Sequence, residues 1–116
     1  MMLPNVIDAV VAEDKIVRYL LNTTHPDGAG KAKFFLGLGY STSNWQELAA
    51  ALRSLAVNSS VTTRVETKHG TKYIVDGTLI APGSQSVFVR TVWIVDAGQT
   101  TPRLVSAYPA DPGDQP

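Results

Sequence analysis

The sequence predicts one α+β domain, in which about three N-terminal helices pack on one face of a four-stranded, twisted antiparallel sheet. Apolar residues recur at helical spacing only in the first half, β-branched and aromatic residues dominate the second half, and turn signals separate the strands. A length of 116 residues is typical of a single domain. We therefore expect one domain over residues 1–109 and a disordered, proline-rich tail over residues 110–116.

The first half predicts three helices. Apolar pairs spaced four residues apart predict the first helix over residues 12–21, which a loop containing proline and glycine then ends. A short second helix is expected over Lys31–Leu38, with Gly39 as its C-terminal cap. The third helix is predicted to begin at a capping box formed by Ser43 and Gln46.

The second half predicts four strands. Alternating residues indicate the first over residues 61–68, and His69-Gly70 can form the two-residue loop that leads into the second, over residues 72–76. The third strand, residues 86–95, is apolar on both faces and belongs in the sheet centre. The last strand covers residues 103–108.

Pairing across the His69-Gly70 loop assigns the faces of the first hairpin. One face receives four side chains: Arg64, Glu66, Lys68 and Tyr73. The other face receives a more apolar set: Val61, Thr63, Val65 and Ile74. Because the apolar set makes the better core, we expect the polar set on the open face beside Arg90, and Lys72 directed toward the helices. Such a polar face could accept a proton and bind phosphate, as RNA cleavage requires, but a solvated face with ordinary ion pairs is the more common explanation.

A second polar group surrounds the predicted loop between the first two helices. His25 precedes a proline there, and Lys31 and Lys33 follow, so an imidazole could lie beside two ammonium groups and receive a phosphate with them. The alternative is that His25 only caps a turn while the lysines are solvated. Thr91, Ser106 and Tyr108 occupy inner strand positions, where core hydrogen bonding is the ordinary explanation for a hydroxyl.

Composition excludes several classes of function. Ten basic and ten acidic side chains cancel, so no global charge attracts nucleic acid or a membrane. Cysteine is absent and the two histidines lie far apart, so we expect no metal, and no motif indicates a cofactor. The N-terminal residues do not form a signal-peptide pattern, and no apolar run reaches the roughly 20 residues of a membrane helix. The expected location is the cytoplasm, with no membrane partner.

Several short strings together resemble a bacterial family of domains of unknown function: Tyr19-Leu20-Leu21-Asn22, His25-Pro26-Asp27-Gly28, Lys31-Ala32-Lys33-Phe34-Phe35, Gly70-Thr71-Lys72-Tyr73, Thr91-Val92-Trp93 and Arg103-Leu104-Val105-Ser106-Ala107-Tyr108-Pro109. The resemblance spans Leu3 to Pro109. Members of that family include small proteins encoded beside a short partner, in a toxin–antitoxin arrangement, and domains of phage head or secreted toxin proteins. The order of helices and strands is similar to that of the barnase, EndoU, colicin and RelE-like toxin ribonucleases.

The resemblance implies a metal-independent endoribonuclease of a toxin–antitoxin or phage-associated system. Its partners would be RNA, either tRNA or mRNA, and a small cognate antitoxin protein. The candidate catalytic residues are His25, Lys31, Glu66, Lys72, Tyr73 and Thr91. The candidate substrate-binding residues are Lys33, Arg64, Lys68, Arg90, Ser106 and Tyr108. Two alternatives remain open: a non-catalytic module of the antitoxin, immunity or phage-adaptor type, and a transferase that modifies tRNA or protein.

Overall fold

A four-stranded antiparallel sheet forms the second half of the chain in the computed structural model, which describes residues 1–111. The strands are β1 (Val61–Thr67), β2 (Gly70–Ile80), β3 (Ser86–Asp96) and β4 (Arg103–Pro109). They follow one another in space in the order β1-β2-β3-β4, so β1 and β4 are the two edges. This arrangement confirms the predicted four-stranded antiparallel sheet.

Three helical regions precede the sheet, as predicted. The first, α1 (Glu13–Lys15), continues directly as a π-helical turn (Ile16–Leu20), which we call the π segment. The others are α2 (Ala29–Gly37) and α3 (Trp45–Val57), and short 3-10 turns lie at Val6–Asp8 and Thr42–Asn44. The first helix is therefore correct in position, but most of it has π rather than α geometry.

The caps of the second and third helices differ in outcome. Gly39 follows α2 with φ of +104°, a left-handed conformation that glycine adopts without steric cost, so the predicted cap is confirmed. The predicted capping box at α3 is wrong. Asn44 is the N-cap residue and makes no side-chain capping bond, whereas the Ser43 hydroxyl lies 3.0 Å from that of Ser41.

One hydrophobic core joins the helices to one face of the sheet. Its fully buried helical members include Ile16, Leu20, Phe35, Leu48 and Leu52, and its members on the strands include Val75, Leu79, Val89 and Trp93. Thr91 lies among them, where its hydroxyl donates to the Val75 carbonyl at 2.7 Å and accepts from the Trp93 indole at 2.8 Å. Thr91 thus has the core hydrogen-bonding role predicted for it.

The first hairpin turns at a different place from the prediction. Thr67 pairs with Gly70, so Lys68 and His69 form the two-residue loop, and Arg64 lies opposite Tyr73. Gly70 begins β2 with φ of +142°, and a Cβ atom there would lie 2.3 Å from the Val95 carbonyl oxygen. Gly70 therefore belongs to the strand that packs closely on β3, and the loop moves one residue toward the N-terminus.

An irregularity in β1 reverses the predicted faces. The register shifts between Val61 and Thr63, so the β1 residues beyond this bulge point to the faces opposite those that alternation from Val61 gives. Tyr73 is only 6% exposed and belongs to the core, whereas Val65 is 44% exposed. Arg64 lies opposite Tyr73, and Glu66 is two residues further along β1, so both share the helix-covered face of Tyr73. The prediction that Arg64, Glu66 and Tyr73 line the open face is therefore wrong, and so is the prediction that Val65 lies in the core. Lys72 is exposed as well, so the prediction that it points toward the helices is also wrong.

The described chain ends just after β4. The backbone N–H of Ala110, which was assigned to the disordered tail, donates to the Phe88 carbonyl at 3.1 Å. The rest of that predicted tail, residues 112–116, lies outside the described residues. Within residues 1–111, no helix has the length and apolar character needed to cross a membrane.

Candidate functional site

A polar cluster lies where the π segment and α2 meet the edge strand β4. At its centre, the Tyr19 hydroxyl receives a hydrogen bond of 2.5 Å from the Lys31 ammonium and lies 3.1 Å from the Ser106 hydroxyl. His25 and Tyr108 complete the group, which we call the β4-edge cluster. Three segments that are distant in sequence thus each contribute polar side chains to one place.

The π segment sets the position of Tyr19. Its backbone closes a wide turn in which Leu21 N–H donates to the Ile16 carbonyl at 2.8 Å, five residues earlier. A π turn inserts one residue relative to an α-helix and rotates the side chains that follow, and such turns are common at functional sites. Here Ile16 and Leu20 remain fully buried while Tyr19, between them, faces the polar cluster.

Gly28 allows the following loop to lie directly on Tyr19. A Cβ atom at Gly28 would lie 2.6 Å from the Tyr19 carbonyl oxygen and 3.0 Å from its ring. Any larger residue would therefore push the loop away from the π segment. The loop continues into the first turn of α2, which carries Lys31, so Gly28 helps to set the distance between the two central side chains.

His25 packs against Tyr19 and also caps its own loop. The two rings meet edge to face with centroids 5.0 Å apart. The His25 Nδ1 atom accepts from the backbone N–H groups of Asp27 at 3.0 Å and Gly28 at 3.2 Å. The neutral imidazole therefore carries its proton on Nε2, where it can donate a hydrogen bond. His25 therefore caps its turn, as the alternative expected, but Lys31 is not merely solvated, because it donates to Tyr19.

The surrounding charges favour the ionised form of Tyr19. Burial alone would raise its pKa, but the hydrogen bonds from Lys31 and Ser106 and the positive charges of Lys31 and Lys15 more than offset burial. The pKa of Tyr19 therefore lies below its ordinary value of 10.0. The two ammonium groups lie 4.8 Å (Lys31) and 5.0 Å (Lys15) from the ring centroid. At a given pH, a larger fraction of Tyr19 is therefore ionised than of a free phenol.

An ion pair extends the cluster along the sheet. Arg90 on β3 pairs with Tyr108 on β4 in the sheet register, and the Lys31 ammonium lies 5.7 Å from the centre of the Tyr108 ring. Arg90 donates two hydrogen bonds of 2.9 Å to the carboxylate of Asp76, which is only 5% exposed. The hydrogen bonds to Asp76, and a further one with Tyr108, raise the pKa of Arg90. Arg90 is therefore a fixed cation.

Five of the residues selected from the sequence meet in or beside this cluster: His25, Lys31, Arg90, Ser106 and Tyr108. The other seven do not. Tyr73 and Thr91 are buried in the core. Lys72 is an exposed residue of β2, and Lys33 is exposed on α2.

The remaining three predicted residues lie at the opposite edge of the sheet. Arg64 and Glu66 belong to β1, and Lys68 follows in the hairpin loop. Two strands separate β1 from β4, a distance of about 14 Å at the usual strand spacing. Arg64 and Glu66 form an exposed ion pair of 2.7 Å, which fits the interpretation as an ordinary solvated pair.

Sequence reasoning missed three residues of the site: Lys15, Tyr19 and Asp76. Tyr19 was part of a string that carried the family resemblance, but its role depends on the π turn, which periodicity does not reveal. Asp76 had a usable signal, since a carboxylate inside an apolar strand requires a cation opposite it. Within residues 1–111, no three side chains of the metal-ligating types gather as a metal site would require.

Comparison with known proteins supports the fold. The model of a family described as a domain of unknown function (DUF6883) matches residues 2–111. A solved structure described as a contact-dependent growth inhibition toxin – immunity protein complex from Klebsiella pneumoniae 342 contains a chain that is similar in fold, with a TM-score of 0.68 and 15% sequence identity. The similarity covers 91% of this chain and 97% of that chain. A search of curated proteins gave no match.

Proposed function

We propose that this chain, which belongs to the DUF6883 family of domains of unknown function, is a metal-independent endoribonuclease of the toxin type. The observation that carries the proposal is the Tyr19 hydroxyl, which is hydrogen-bonded by Lys31 and has a lowered pKa. A proton acceptor that is surrounded by cations is what cleavage of RNA by its own 2′-hydroxyl requires. Lys31 and His25, two residues selected from the sequence, belong to the proposed site.

Tyr19 acts as the base in the proposed reaction. Its phenolate accepts the proton of the ribose 2′-hydroxyl, and the 2′-oxygen attacks the adjacent phosphorus. The bond from phosphorus to the 5′-oxygen then breaks, and the Tyr108 hydroxyl donates a proton to that oxygen. The products are a 2′,3′-cyclic phosphate and a free 5′-hydroxyl, and exchange of protons with water returns Tyr19 to the phenolate and Tyr108 to the phenol.

The cations and the imidazole stabilise the charge that develops on phosphorus. Lys31 lies near both phenol rings, 4.8 Å from the centroid of Tyr19 and 5.7 Å from that of Tyr108, so a phosphate held by its ammonium would lie between base and acid. His25 donates from Nε2 to a phosphate oxygen rather than carrying the proton itself. A positioned donor of this kind contributes about 100-fold to 1,000-fold in rate.

Asp76 positions the second cation. It binds the Nε and one terminal nitrogen of Arg90, and a guanidinium has five N–H donors, so the remaining donors stay available to a phosphate. Burial of Asp76 beneath Arg90 also keeps the carboxylate away from the RNA. The site therefore presents positive charge locally although the whole chain has none in excess.

The test is cleavage of labelled RNA by purified protein in the presence of a metal chelator. Lys31→Ala should reduce the rate at least about 100-fold, because it removes a group that lowers the pKa of Tyr19 and that would bind phosphate. Arg18→Ala is the matched control, since Arg18 is next to Tyr19 in sequence but forms only an exposed pair with Asp14 at 3.5 Å. Intact RNA with the wild type, or equal cleavage by Lys31→Ala, would contradict the proposal.

A non-catalytic immunity-type module is the second candidate function. It is favoured by the similarity to a chain from a toxin – immunity protein complex, together with a net charge of zero, which gives no general attraction to RNA. Expression in a bacterium separates the two candidates. The ribonuclease arrests growth and the Lys31→Ala variant does not, whereas an immunity module leaves growth unchanged in both.

A further inference from the structure

The β1 edge of the sheet carries an open row of backbone hydrogen-bonding groups. Within residues 1–111, β1 pairs with β2 alone, and the further backbone bond to this strand is from Val61 N–H to the Met1 carbonyl at 2.7 Å. The opposite edge is different, because Val10 bridges to β4 at Arg103. An open edge of this kind is a template for another strand.

The hairpin loop determines which residues of β1 present their backbone outward. Thr67 and Gly70 flank the two-residue loop and form a hydrogen-bonded pair, and hydrogen-bonded and non-hydrogen-bonded pairs alternate from there. Val65 therefore directs its backbone groups toward β2. Arg64 and Glu66 direct their N–H and C=O groups away from the sheet, where an added strand can bind them.

We infer that β1 pairs in antiparallel fashion with β1 of a second copy of this chain, about a two-fold axis at Val65. In this register Arg64 lies opposite Glu66 of the second copy, and Glu66 lies opposite Arg64 of the second copy. The two pairs exchange four backbone hydrogen bonds and join two sheets into one of eight strands. Val65, which is 44% exposed, meets Val65 of the second copy on the axis.

The charges select this register over its neighbours. A shift by two residues in either direction places two arginines or two glutamates directly opposite each other, which is destabilising. A shift by one residue makes the backbone groups face the wrong way. The side chains of Arg64 and Glu66 are 45% and 69% exposed, so both are available to a partner strand.

The dimer does not depend on the proposed ribonuclease activity. The β4-edge cluster lies at the other edge of the sheet, so pairing through β1 leaves both clusters accessible to RNA. A failure of RNA cleavage would leave the inference about the dimer intact, and a monomeric protein could still be a ribonuclease.

Sedimentation of the full chain over a wide concentration range tests the inference. A contact of one strand pair is small, so we expect association in about the 10 µM to 1 mM range that weak interfaces show, and weaker association at high salt. Arg64→Glu and Glu66→Arg should each weaken dimerisation about fivefold or more, because each places like charges opposite one another. The double variant, Arg64→Glu with Glu66→Arg, should restore it.

A mixture of the two single variants gives the sharpest result. Arg64→Glu has glutamate at both positions 64 and 66, and Glu66→Arg has arginine at both. In the mixed dimer, every glutamate of one variant therefore lies opposite an arginine of the other. Dimerisation in the mixture but not in either variant alone supports the inference. A monomer throughout the concentration range, or a dimer that none of these changes affects, would overturn it and leave the edge to a strand from a different protein.

Discussion

Gly28→Ala should disrupt the site through packing alone. The added methyl group would lie 2.6 Å from the Tyr19 carbonyl oxygen and 3.0 Å from its ring, distances at which the backbone must move. Overpacking of this kind costs about 1–3 kcal/mol. The loop that leads into α2 would separate from the π segment, so Lys31 would be displaced from Tyr19.

Gly30→Ala is the matched control. Gly30 lies two residues further on, within α2, and an added Cβ meets nothing within 4 Å. Replacement of a helical glycine by alanine stabilises a protein by about 0.5–1 kcal/mol. Urea unfolding followed by circular dichroism should therefore place the two variants on opposite sides of the wild type, and RNA cleavage should fall only in Gly28→Ala. Equal stability and equal cleavage in both variants would refute the packing argument.

Three further changes test the core and the ion pair. Burial raises the pKa of Tyr40 to about 12, so the folded state keeps a proton that the unfolded state loses near pH 10. The contribution of Tyr40 to the free energy of unfolding is therefore constant below pH 10 and falls as the pH rises to 12. Two pKa units correspond to a loss of about 2.7 kcal/mol, and Tyr40→Phe should remove this slope in urea unfolding at alkaline pH. Thr91→Val should lower the free energy of unfolding by about 1–3 kcal/mol, because the buried Val75 carbonyl and the Trp93 indole N–H lose their partner. The control, Thr78→Val at an exposed position, should change the free energy of unfolding by less than about 0.5 kcal/mol. Asp76→Asn should lower the free energy of unfolding by about 2 kcal/mol, since Arg90 loses its buried counter-charge. The same change should weaken RNA binding at the β4-edge cluster. An unchanged midpoint of urea unfolding would contradict this expectation.

The sequence predicts the fold well because the strongest patterns are redundant. Several apolar positions define α3, and β3 is apolar on both faces, so errors of one or two residues do not change the layers. The faces of β1 were not predictable in the same way. One bulge near Thr62 reverses the faces of the later β1 residues, which exposes Val65. Tyr73 is buried because β2 places it opposite Trp93 on the helix-covered face.

The site was only partly predictable because it is assembled from contacts between distant segments. His25 and Lys31 could be selected from the sequence because they lie close together, His25 in a short polar loop and Lys31 in the first turn of α2. Tyr19 depends on a π turn, and Asp76 on the register between β2 and β3 that pairs it with Arg90. Neither feature leaves a periodic signal in a single sequence.

The pH dependence of single-turnover RNA cleavage tests the role of Tyr19 as the base most directly. The rate of the wild type should rise with pH and level off below pH 10, because the pKa of Tyr19 is lowered from 10.0. Tyr19→Phe should lose this rise with pH and should cleave RNA about 100-fold or more slowly than the wild type. Tyr40→Phe should show the same rise with pH and the same rate as the wild type. A Tyr19→Phe protein that cleaves RNA at the wild-type rate with the same pH profile would contradict the account.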